Sequence, residues 1–375
     1  MRKILIFTAS TGEGHNQVAR ALKNEFEAFG YEVVMMDILK ETSKVLNLCI
    51  ADGYNMLATH LPKIYGILYK WSDMKRINME FNKFFNKLEY NKVYSLIQHH
   101  QPDLIITTHP FIIGVIGDLK KSGRLHIPFV SVVTDYEAHQ VYIHEYVDAY
   151  ITGSDYTSHT LVNKGIDEKN IYVCGIPIRQ EFLTRKIYNK EDSSFTILLM
   201  GGSMGVKSMK KVLENLIKNK HLLRIIVICG NNKSLKEEII RQYHHIQGKE
   251  IIVYGFTKNV PQLMDMAHIV ITKPGGITVS ESIAKNIPMV IPYFIPGQEE
   301  GNVEFLLASR IAIQVKKIAH INEVIDELIQ NPKKLDDMRK RMKDLWNIYS
   351  RDNVIELSNM LMRKYSHERG MIYEK

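Results

Sequence analysis

The sequence has few cysteines and no long apolar run. Cys49, Cys174 and Cys229 are the only cysteines among 375 residues, and they stand far apart with no CxxC pair. This spacing indicates buried thiols in a reducing compartment rather than a metal site. No apolar run approaches the roughly 18–20 residues of a membrane span, and the apolar start, residues 3–7, is too short for a signal peptide. The sequence therefore predicts a cytoplasmic protein.

The composition is that of a soluble globular protein. Hydrophobic residues make up 45% of the chain and charged residues 24%. A chain of 375 residues predicts two domains of roughly 150–200 residues each. The net charge of +8 is concentrated in residues 51–100 and 201–250. Such an excess favours polyanionic partners, which include nucleic acid, anionic lipid and phosphorylated substrates.

Several functional signatures are absent. The chain has neither the Walker A pattern GxxxxGK[ST] nor the GxGxxG fingerprint, so ATP hydrolysis and NAD binding are not the first choices. No nucleic-acid module is recognisable, and we expect no nucleic-acid partner. No DxD triplet occurs. We therefore predict no metal site, no obligatory divalent ion and no other cofactor.

Short apolar, β-favouring runs alternate with helix-like segments along the whole chain. The runs occupy 3–7, 32–39, 103–109, 128–135, 148–154 and 170–177, and then 196–200, 223–230, 250–256, 268–276 and 288–293. This alternation predicts the α/β class with two doubly wound parallel sheets. A polar stretch at 182–194 separates an N-terminal domain, 1–185, from a C-terminal domain, 186–375. Two such domains would face a cleft, with ligands at the carboxyl ends of the strands.

A glycine-paired turn follows the first strand. In TASTGEGHNQVARAL, residues 8–22, Gly12 and Gly14 precede a helical pattern that continues to Phe29. The first N–H groups of a helix attract an anion, and glycines let a ligand approach the backbone. His15 would stand beside that anion with a ring that accepts a proton near neutral pH. The alternative is a histidine that merely caps the helix.

A second turn of this kind is GGSMG at 201–205, between a strand and a helix. It suits a phosphate at a helix N-terminus, or it is only a tight strand-to-helix turn.

The segment 271–302, ITKPGGITVSESIAKNIPMVIPYFIPGQEEGN, is the most informative. Pro274 to Gly276 join a strand to a helix, so the amides near Thr278 can hold a diphosphate. Glu281 near the helix start can accept two hydrogen bonds from a ribose diol. Polar residues 298–300 follow the next strand and suit sugar hydroxyls. Taken singly, Glu281 could serve only the helix dipole and 298–300 could be a solvated loop; together they favour a nucleotide-sugar site.

These motifs resemble those of a glycosyltransferase family. The family includes monogalactosyldiacylglycerol synthases and processive diacylglycerol β-glucosyltransferases, with the peptidoglycan lipid II synthase as a more distant relative. The similarity covers nearly the whole chain, and its specific motifs are ITKPGGIT at 271–278 and PGQEEGN at 296–302. TGEGH, TTHP at 107–110, VVTDYEAH at 132–139, CGIPI at 174–178 and VICG at 227–230 extend it. The chain departs from the family pattern at Gly301, where a side chain is usual, and at Tyr142, where a tryptophan is common.

The resemblance implies two Rossmann-like domains in the GT-B arrangement. The C-terminal domain would bind a UDP-hexose, and the N-terminal domain would bind the acceptor, diacylglycerol. His15 would be the general base of an inverting transfer, with Asp135 as an orienting group or alternative base. The implied donor-binding residues are Gly14, Gly202, Ser203, Phe256, Thr257, Lys273, Gly275, Gly276, Thr278, Glu281, Gln298 and Glu299.

An acceptor that lives in a bilayer requires a membrane-docking surface. Basic and aromatic residues interleave over 61–97, where Trp71 and the pair Phe84–Phe85 are prominent. This segment suits peripheral binding to the anionic inner face of the cell membrane, or its aromatics pack inside the N-terminal domain. Two other functions stay open. One is transfer to an undecaprenyl-linked or soluble acceptor, and the other is non-catalytic sensing of a UDP-sugar.

Overall fold

The computed structural model describes residues 1–41, 61–185, 194–201, 207–243, 245–347 and 351–373. The chain forms two compact units. The first comprises Met1–Arg179, Pro296–Gly301 and Ile348–Lys375, and the second Gln180–Ile295 and Asn302–Asn347. None of the helices in these described ranges combines the length and the apolar character that crossing a membrane requires.

The first unit is a parallel six-stranded sheet flanked by helices. Its strands follow the order β2-β1-β3-β4-β5-β6. They are β1 Lys3–Thr8, β2 Glu32–Asp37, β3 Leu104–Thr107, β4 Phe129–Val132, β5 Ala149–Thr152 and β6 Ile171–Val173. The helices are α1 Glu13–Ala28, α2 Ile38–Glu41, α3 Pro62–Ser72, α4 Lys75–His100, α5 Ile113–Lys121 and α6 Asp155–Asn163. The central strands are buried on both faces, which explains why they are continuous apolar runs.

The second unit repeats the scheme with the order β12-β11-β10-β7-β8-β9, again all parallel. Its strands are β7 Phe195–Met200, β8 Leu223–Ile228, β9 Lys249–Tyr254, β10 Ile269–Ile271, β11 Met289–Ile291 and β12 Ala312–Gln314. The helices are α7 Gln180–Leu183, α8 Lys207–Leu216, α9 Lys233–Tyr243, α10 Val260–Met266, α11 Gly276–Lys285, α12 Glu300–Ala308, α13 Ile321–Gln330 and α14 Pro332–Trp346. The predicted α/β class with two doubly wound parallel sheets is confirmed.

The division of the chain differs from the simple boundary expected after residue 185. The last helix, α15 Arg351–Tyr373, belongs to the first unit. The sequence predicts it as part of the C-terminal domain, 186–375. Its apolar residues Val354, Leu357 and Leu361 are buried. The Tyr365 hydroxyl donates to Asp148 Oδ1 at 2.6 Å, which ties the helix to the sheet of the first unit. Burying this apolar face fixes the helix there.

In each sheet the strand order reverses at one point, and there the loops diverge and leave a crevice. In the first unit this point lies between β1 and β3, which pair in parallel. In the second unit it lies between β7 and β10. The glycine turn before His15 follows β1, and the KPGG turn follows β10. The topology thus places both predicted glycine turns at the positions where such sheets bind ligands.

Candidate functional site

His15 lies in the first turn of α1 and is held by the loop that follows β3. Its Nδ1 atom is 2.7 Å from the carbonyl oxygen of Thr108 and 3.1 Å from Thr134 Oγ1. The Thr108 hydroxyl in turn donates to the His15 carbonyl at 3.1 Å. A carbonyl oxygen only accepts hydrogen bonds, so Nδ1 must carry the proton. The contact fixes the tautomer in which Nε2 is the proton acceptor.

A second histidine packs against the first. The ring centroids of His15 and His109 are 4.4 Å apart, and the rings meet edge to face at 70°. His109 Nδ1 accepts from the Phe111 amide at 3.2 Å, so its Nε2 carries the proton and donates to Thr11 Oγ1 at 3.0 Å. Burial, and then the neighbouring His15, lower the pKa of His109 well below its usual value. His109 is therefore a neutral ring that packs against His15 and restricts its orientation.

Burial also keeps His15 neutral. It lowers the pKa of His15 from 6.5 to about 4, and the hydrogen bond to Thr108 offsets only part of that shift. A neutral imidazole with a fixed Nδ1–H is ready to accept a proton at Nε2. An attacking hydroxyl becomes strongly acidic once its oxygen bonds to carbon, so even a weak base can take its proton late in the step. The geometry therefore supports the predicted role of His15 as a general base.

This pKa leads to a pH prediction. As the predicted base, His15 would act in its neutral form, so activity should fall only as the pH drops through the pKa of about 4. At pH 5 about nine-tenths of such an imidazole is neutral, against about 3% at an ordinary pKa of 6.5. We expect kcat/KM for sugar transfer, measured between pH 4.5 and 8, to show no acid limb near 6.5. A midpoint near 6.5 would contradict this account of His15.

Asp135 follows Thr134, the residue whose hydroxyl contacts His15. Its charge acts on two tyrosines: removal from water is the largest cause that raises the pKa of Tyr69 and of Tyr142, and Asp135 is the next. Tyr142 OH lies 3.2 Å from Thr134 Oγ1, so this tyrosine is part of the support of His15. The Nδ1 atom of His15 is oriented by Thr108 and Thr134. A role for Asp135 as an alternative base stays a prediction.

In the second unit the KPGG turn leads directly into α11. Gly275 is the N-cap residue, and the first intrahelical hydrogen bond runs from the Val279 amide to the Gly275 carbonyl at 2.9 Å. The amides of Gly276, Ile277 and Thr278 precede that bond and are the open donors of the helix. These donors and the positive end of the helix dipole can hold a diphosphate. Lys273 and Gly275 lie in the same turn, where the Gly275 amide donates to the Lys273 carbonyl.

Two further residues of this segment are buried. Glu281 is only 7% exposed and lies in the second turn of α11, not in the first turn, where a helix-dipole role would place it. Asn302 is fully buried, and its Nδ2 donates to the Pro274 carbonyl at 2.9 Å. Asn302 has no separate role among the residues predicted from the sequence. This hydrogen bond fixes the glycine turn, so Asn302 supports the backbone that is predicted to bind the diphosphate.

The other residues predicted to bind the UDP-sugar are spread over both units. Phe256 is 65% exposed in the turn between β9 and α10, and Thr257 Oγ1 accepts from the Asn259 amide at 3.1 Å. Gly14 lies in the first turn of α1, next to His15. Gly202 and Ser203 fall outside the described residues. The contacts of Phe256 and Thr257 with uracil stay predictions.

The predicted hexose-binding residues belong to the first unit. The segment 296–301 packs against α3, where Tyr65 OH donates to Gln298 Oε1 at 3.2 Å. Lys70 Nζ is 2.7 Å from Glu300 Oε2, and this ion pair lowers the pKa of Glu300. Glu299 is 3% exposed. Tyr65 and Lys70 fix this segment, and nothing in the local sequence pairs them with residues more than two hundred positions away.

The departure at Gly301 has a structural reason. A Cβ atom at this position would lie 2.2 Å from the Glu137 Cβ, closer than any two such atoms can approach. Glu137 comes from VVTDYEAH, in the loop after β4. The absence of a side chain at 301 is thus matched to the side chain at 137, and the two motifs pack directly on each other.

Comparisons with known proteins agree with this arrangement. The family model of monogalactosyldiacylglycerol (MGDG) synthase matches residues 15–178, and that of glycosyl transferases group 1 matches residues 181–345. The processive diacylglycerol β-glucosyltransferase of Bacillus licheniformis is 31% identical over 99% of both chains. The chain belongs to the family of the processive diacylglycerol β-glucosyltransferases. The Bacillus subtilis relative of the same name is 31% identical over 95% of this chain and 94% of its own.

The structural comparison confirms the fold. Acinetobacter baumannii MurG superimposes with a TM-score of 0.65 at 14% identity, covering 96% of this chain and 100% of its own. At this identity the likeness concerns the fold alone. The family member described here is thus a glycosyltransferase of the GT-B fold, as the resemblance predicted.

Proposed function

We propose that the chain transfers glucose from UDP-glucose to diacylglycerol with inversion, and so makes a glucosyldiacylglycerol. The catalytic role of His15 in this proposal rests on one observation: the ring is neutral, and the Thr108 carbonyl holds it with Nε2 as the proton acceptor. The relatives named processive diacylglycerol β-glucosyltransferase support glucose as the sugar and diacylglycerol as the acceptor.

In the proposed step the diacylglycerol hydroxyl attacks the anomeric carbon, and the bond from that carbon to the UDP oxygen breaks. The transition state has the oxocarbenium character known from glycoside chemistry. The hydroxyl proton goes to Nε2 of His15, and the electron pair of the broken bond leaves with UDP. A single displacement inverts the configuration of the anomeric carbon.

The leaving diphosphate gains negative charge during the step. The amides of Gly276, Ile277 and Thr278 at the start of α11 can stabilise this charge because they are fixed before the reaction. We propose that these donors take the place of a divalent ion, so that transfer proceeds in EDTA.

Glu281 is proposed to accept two hydrogen bonds from the ribose diol. Glu281→Gln leaves one acceptor oxygen and removes the charge, and a hydrogen bond to a charged group contributes about 1.5–3 kcal/mol. We expect KM for UDP-glucose to rise about tenfold or more while kcat changes little. The matched control is Glu237→Gln at an exposed position of α9, which should leave steady-state kinetics unchanged. An unchanged KM in Glu281→Gln would contradict the ribose role.

Access to diacylglycerol is proposed to come from peripheral binding to an anionic membrane through residues 61–97. This segment forms α3 and most of α4. Lys63, Lys75 and Lys92 are exposed, and Trp71 is 57% exposed, whereas Tyr65 is buried. The side chains of residues 76–88, which include Phe84 and Phe85, fall outside the described residues. Each cation near an anionic surface contributes about 1 kcal/mol to such binding.

The test is mass spectrometry of lipids after incubation with diacylglycerol vesicles, EDTA and one UDP-sugar at a time. We expect hexosyldiacylglycerol with UDP-glucose, and less or none with UDP-galactose and UDP-N-acetylglucosamine. Binding of the donor without any lipid product would contradict the proposal and favour another acceptor or a sensor.

A further inference from the structure

One face of α3 exposes large apolar side chains to solvent. Among the described residues, most of the strongly exposed large apolar side chains of the first unit cluster here: Leu61, Ile64, Ile67, Leu68, Trp71 and Met74, each between 46% and 57% exposed. Ile64, Ile67, Leu68 and Trp71 follow the i, i+3, i+4, i+7 spacing of a single helix face. Clustered exposure of this kind marks an interaction surface.

The charges of this helix indicate an anionic bilayer as the occupant of the apolar face. Residues 61–72 contain two lysines and no acidic residue, and one of the two lysines, Lys70, pairs with Glu300. Lys63 and, just after the helix, Lys75 are exposed. An amphipathic helix with lysines beside its apolar face lies in the interface of a membrane with its apolar side chains among the lipids.

The opposite face of α3 contacts the segment 296–300, which carries the proposed hexose-binding residues. A Cβ atom on Gly66 would lie 2.9 Å from the Pro296 Cβ, so the backbone of the helix and this segment touch. Gly297, at φ +81°, approaches the backbone of Gly66 equally closely, and a Cβ there would lie 3.1 Å from the Gly66 Cα. Backbone contact this close transmits a shift of the helix to the segment.

Two side chains of α3 also bind the segment directly. Tyr65 OH donates to Gln298 Oε1, and Lys70 pairs with Glu300. Behind them, the His139 Nε2 atom contacts the Tyr69 carbonyl at 3.1 Å and Ser72 Oγ at 3.2 Å. One face of α3 is thus exposed to solvent, and the opposite face holds the segment 296–300.

We propose that α3 couples membrane contact to donor binding: seating its apolar face in an anionic bilayer fixes the helix and, through Tyr65, Gly66 and Lys70, the segment 296–300 in the form that binds UDP-glucose. The inference rests on the proposed function, because it takes Gln298 as a sugar-binding residue. The consequence is an enzyme that binds its donor tightly only at the surface that contains its acceptor.

Coupling between two binding events is reciprocal. Vesicles without diacylglycerol should tighten UDP-glucose binding about fivefold or more, and UDP-glucose should tighten vesicle binding by the same factor. The probe is a vesicle of phosphatidylcholine with phosphatidylglycerol. Donor affinity is measured by calorimetry. Vesicle binding is measured by the fluorescence of Trp71 in the Trp346→Phe variant, in which it is the only tryptophan.

Two sets of variants separate docking from coupling. Ile67→Asp with Leu68→Asp should abolish vesicle binding and with it the vesicle effect on donor affinity, whereas Val162→Asp, at an exposed position of α6, should abolish neither. Tyr65→Phe with Lys70→Met should still bind vesicles but show a donor affinity that vesicles no longer change. Its control is Tyr31→Phe with Lys121→Met, because the Tyr31 hydroxyl also donates to an amide oxygen, that of Asn359, and Lys121 also forms an ion pair, with Glu145, both away from the segment.

The outcomes distinguish this inference from the proposed function. UDP-glucose binding that is equal with and without vesicles contradicts the coupling alone. No UDP-glucose binding under either condition contradicts the proposed function and the coupling with it. A wild-type chain that dimerises through this face, so that Ile67→Asp with Leu68→Asp yields a monomer with unchanged vesicle binding, would also overturn the inference.

Discussion

His15→Ala is expected to lower kcat for glucosyl transfer by about 10²–10⁴-fold, the usual contribution of a positioned general base. The loss should appear in kcat, with KM for UDP-glucose little changed, because the proton transfer occurs only in the transition state. Steady-state assays of lipid product at saturating donor measure it directly.

Two further variants separate proton transfer from simple disruption. His15→Gln can still donate a hydrogen bond to the Thr108 carbonyl but has no basic nitrogen, so it should lose as much activity as His15→Ala. His159→Ala, at an exposed position of α6, is the matched control and should be fully active. A His15→Gln variant with near wild-type kcat would show that the ring only supports the loop, and Asp135 would become the first choice for the base.

Asp265→Ala is expected to lower the free energy of unfolding by about 3–5 kcal/mol. Asp265 on α10 and Lys285 on α11 form an ion pair at 2.9 Å, and both side chains are almost completely buried. Removing the carboxylate leaves the buried Lys285 ammonium without this counter-charge, and the Thr184 carbonyl that also accepts from it carries no full charge. Lys285 is the last residue of the helix whose other end carries the proposed diphosphate site, so donor binding should weaken as well.

Urea denaturation of the full chain measures the loss. The double variant Asp265→Leu with Lys285→Met should recover much of it, because no buried charge then lacks a partner. Asp337→Ala, at an exposed position of α14, is the control and should change the stability by no more than about 0.5 kcal/mol. A loss below about 1 kcal/mol in Asp265→Ala would show that the pair contributes little.

The sheets could be predicted from the sequence because their strands are short apolar runs, and the central ones are buried on both faces. Each predicted apolar run overlaps an observed strand, from β1 to β11. The strand β12, Ala312–Gln314, is not among the predicted runs. The helical character of the C-terminal region was expected from Ile321 onward. The assignment of these helices to the two units could not be predicted, because an apolar helix face does not identify the sheet against which it packs.

The site could be predicted only where one stretch of chain builds it. KPGG, Thr278 and Glu281 lie in a single strand-turn-helix segment, so the sequence placed them together. The orientation of His15 depends on the pairing of β1 with β3, which brings Thr108 to a residue 93 positions earlier. The only sequence indication of His109 is its place in TTHP at the end of a predicted strand. The contacts of Tyr65 and Lys70 with 298–300 gave none, because they join distant parts of the chain.

The anomeric configuration of the lipid product tests the central claim most directly. UDP-glucose carries its sugar in the α configuration, and a single displacement with His15 as the base must give a β-glucoside. Proton NMR of the glucosyldiacylglycerol made by the wild-type chain in EDTA should therefore show the large anomeric coupling of a β-linked sugar. An α-linked product would contradict the mechanism, and the absence of any glucosyldiacylglycerol would contradict the function.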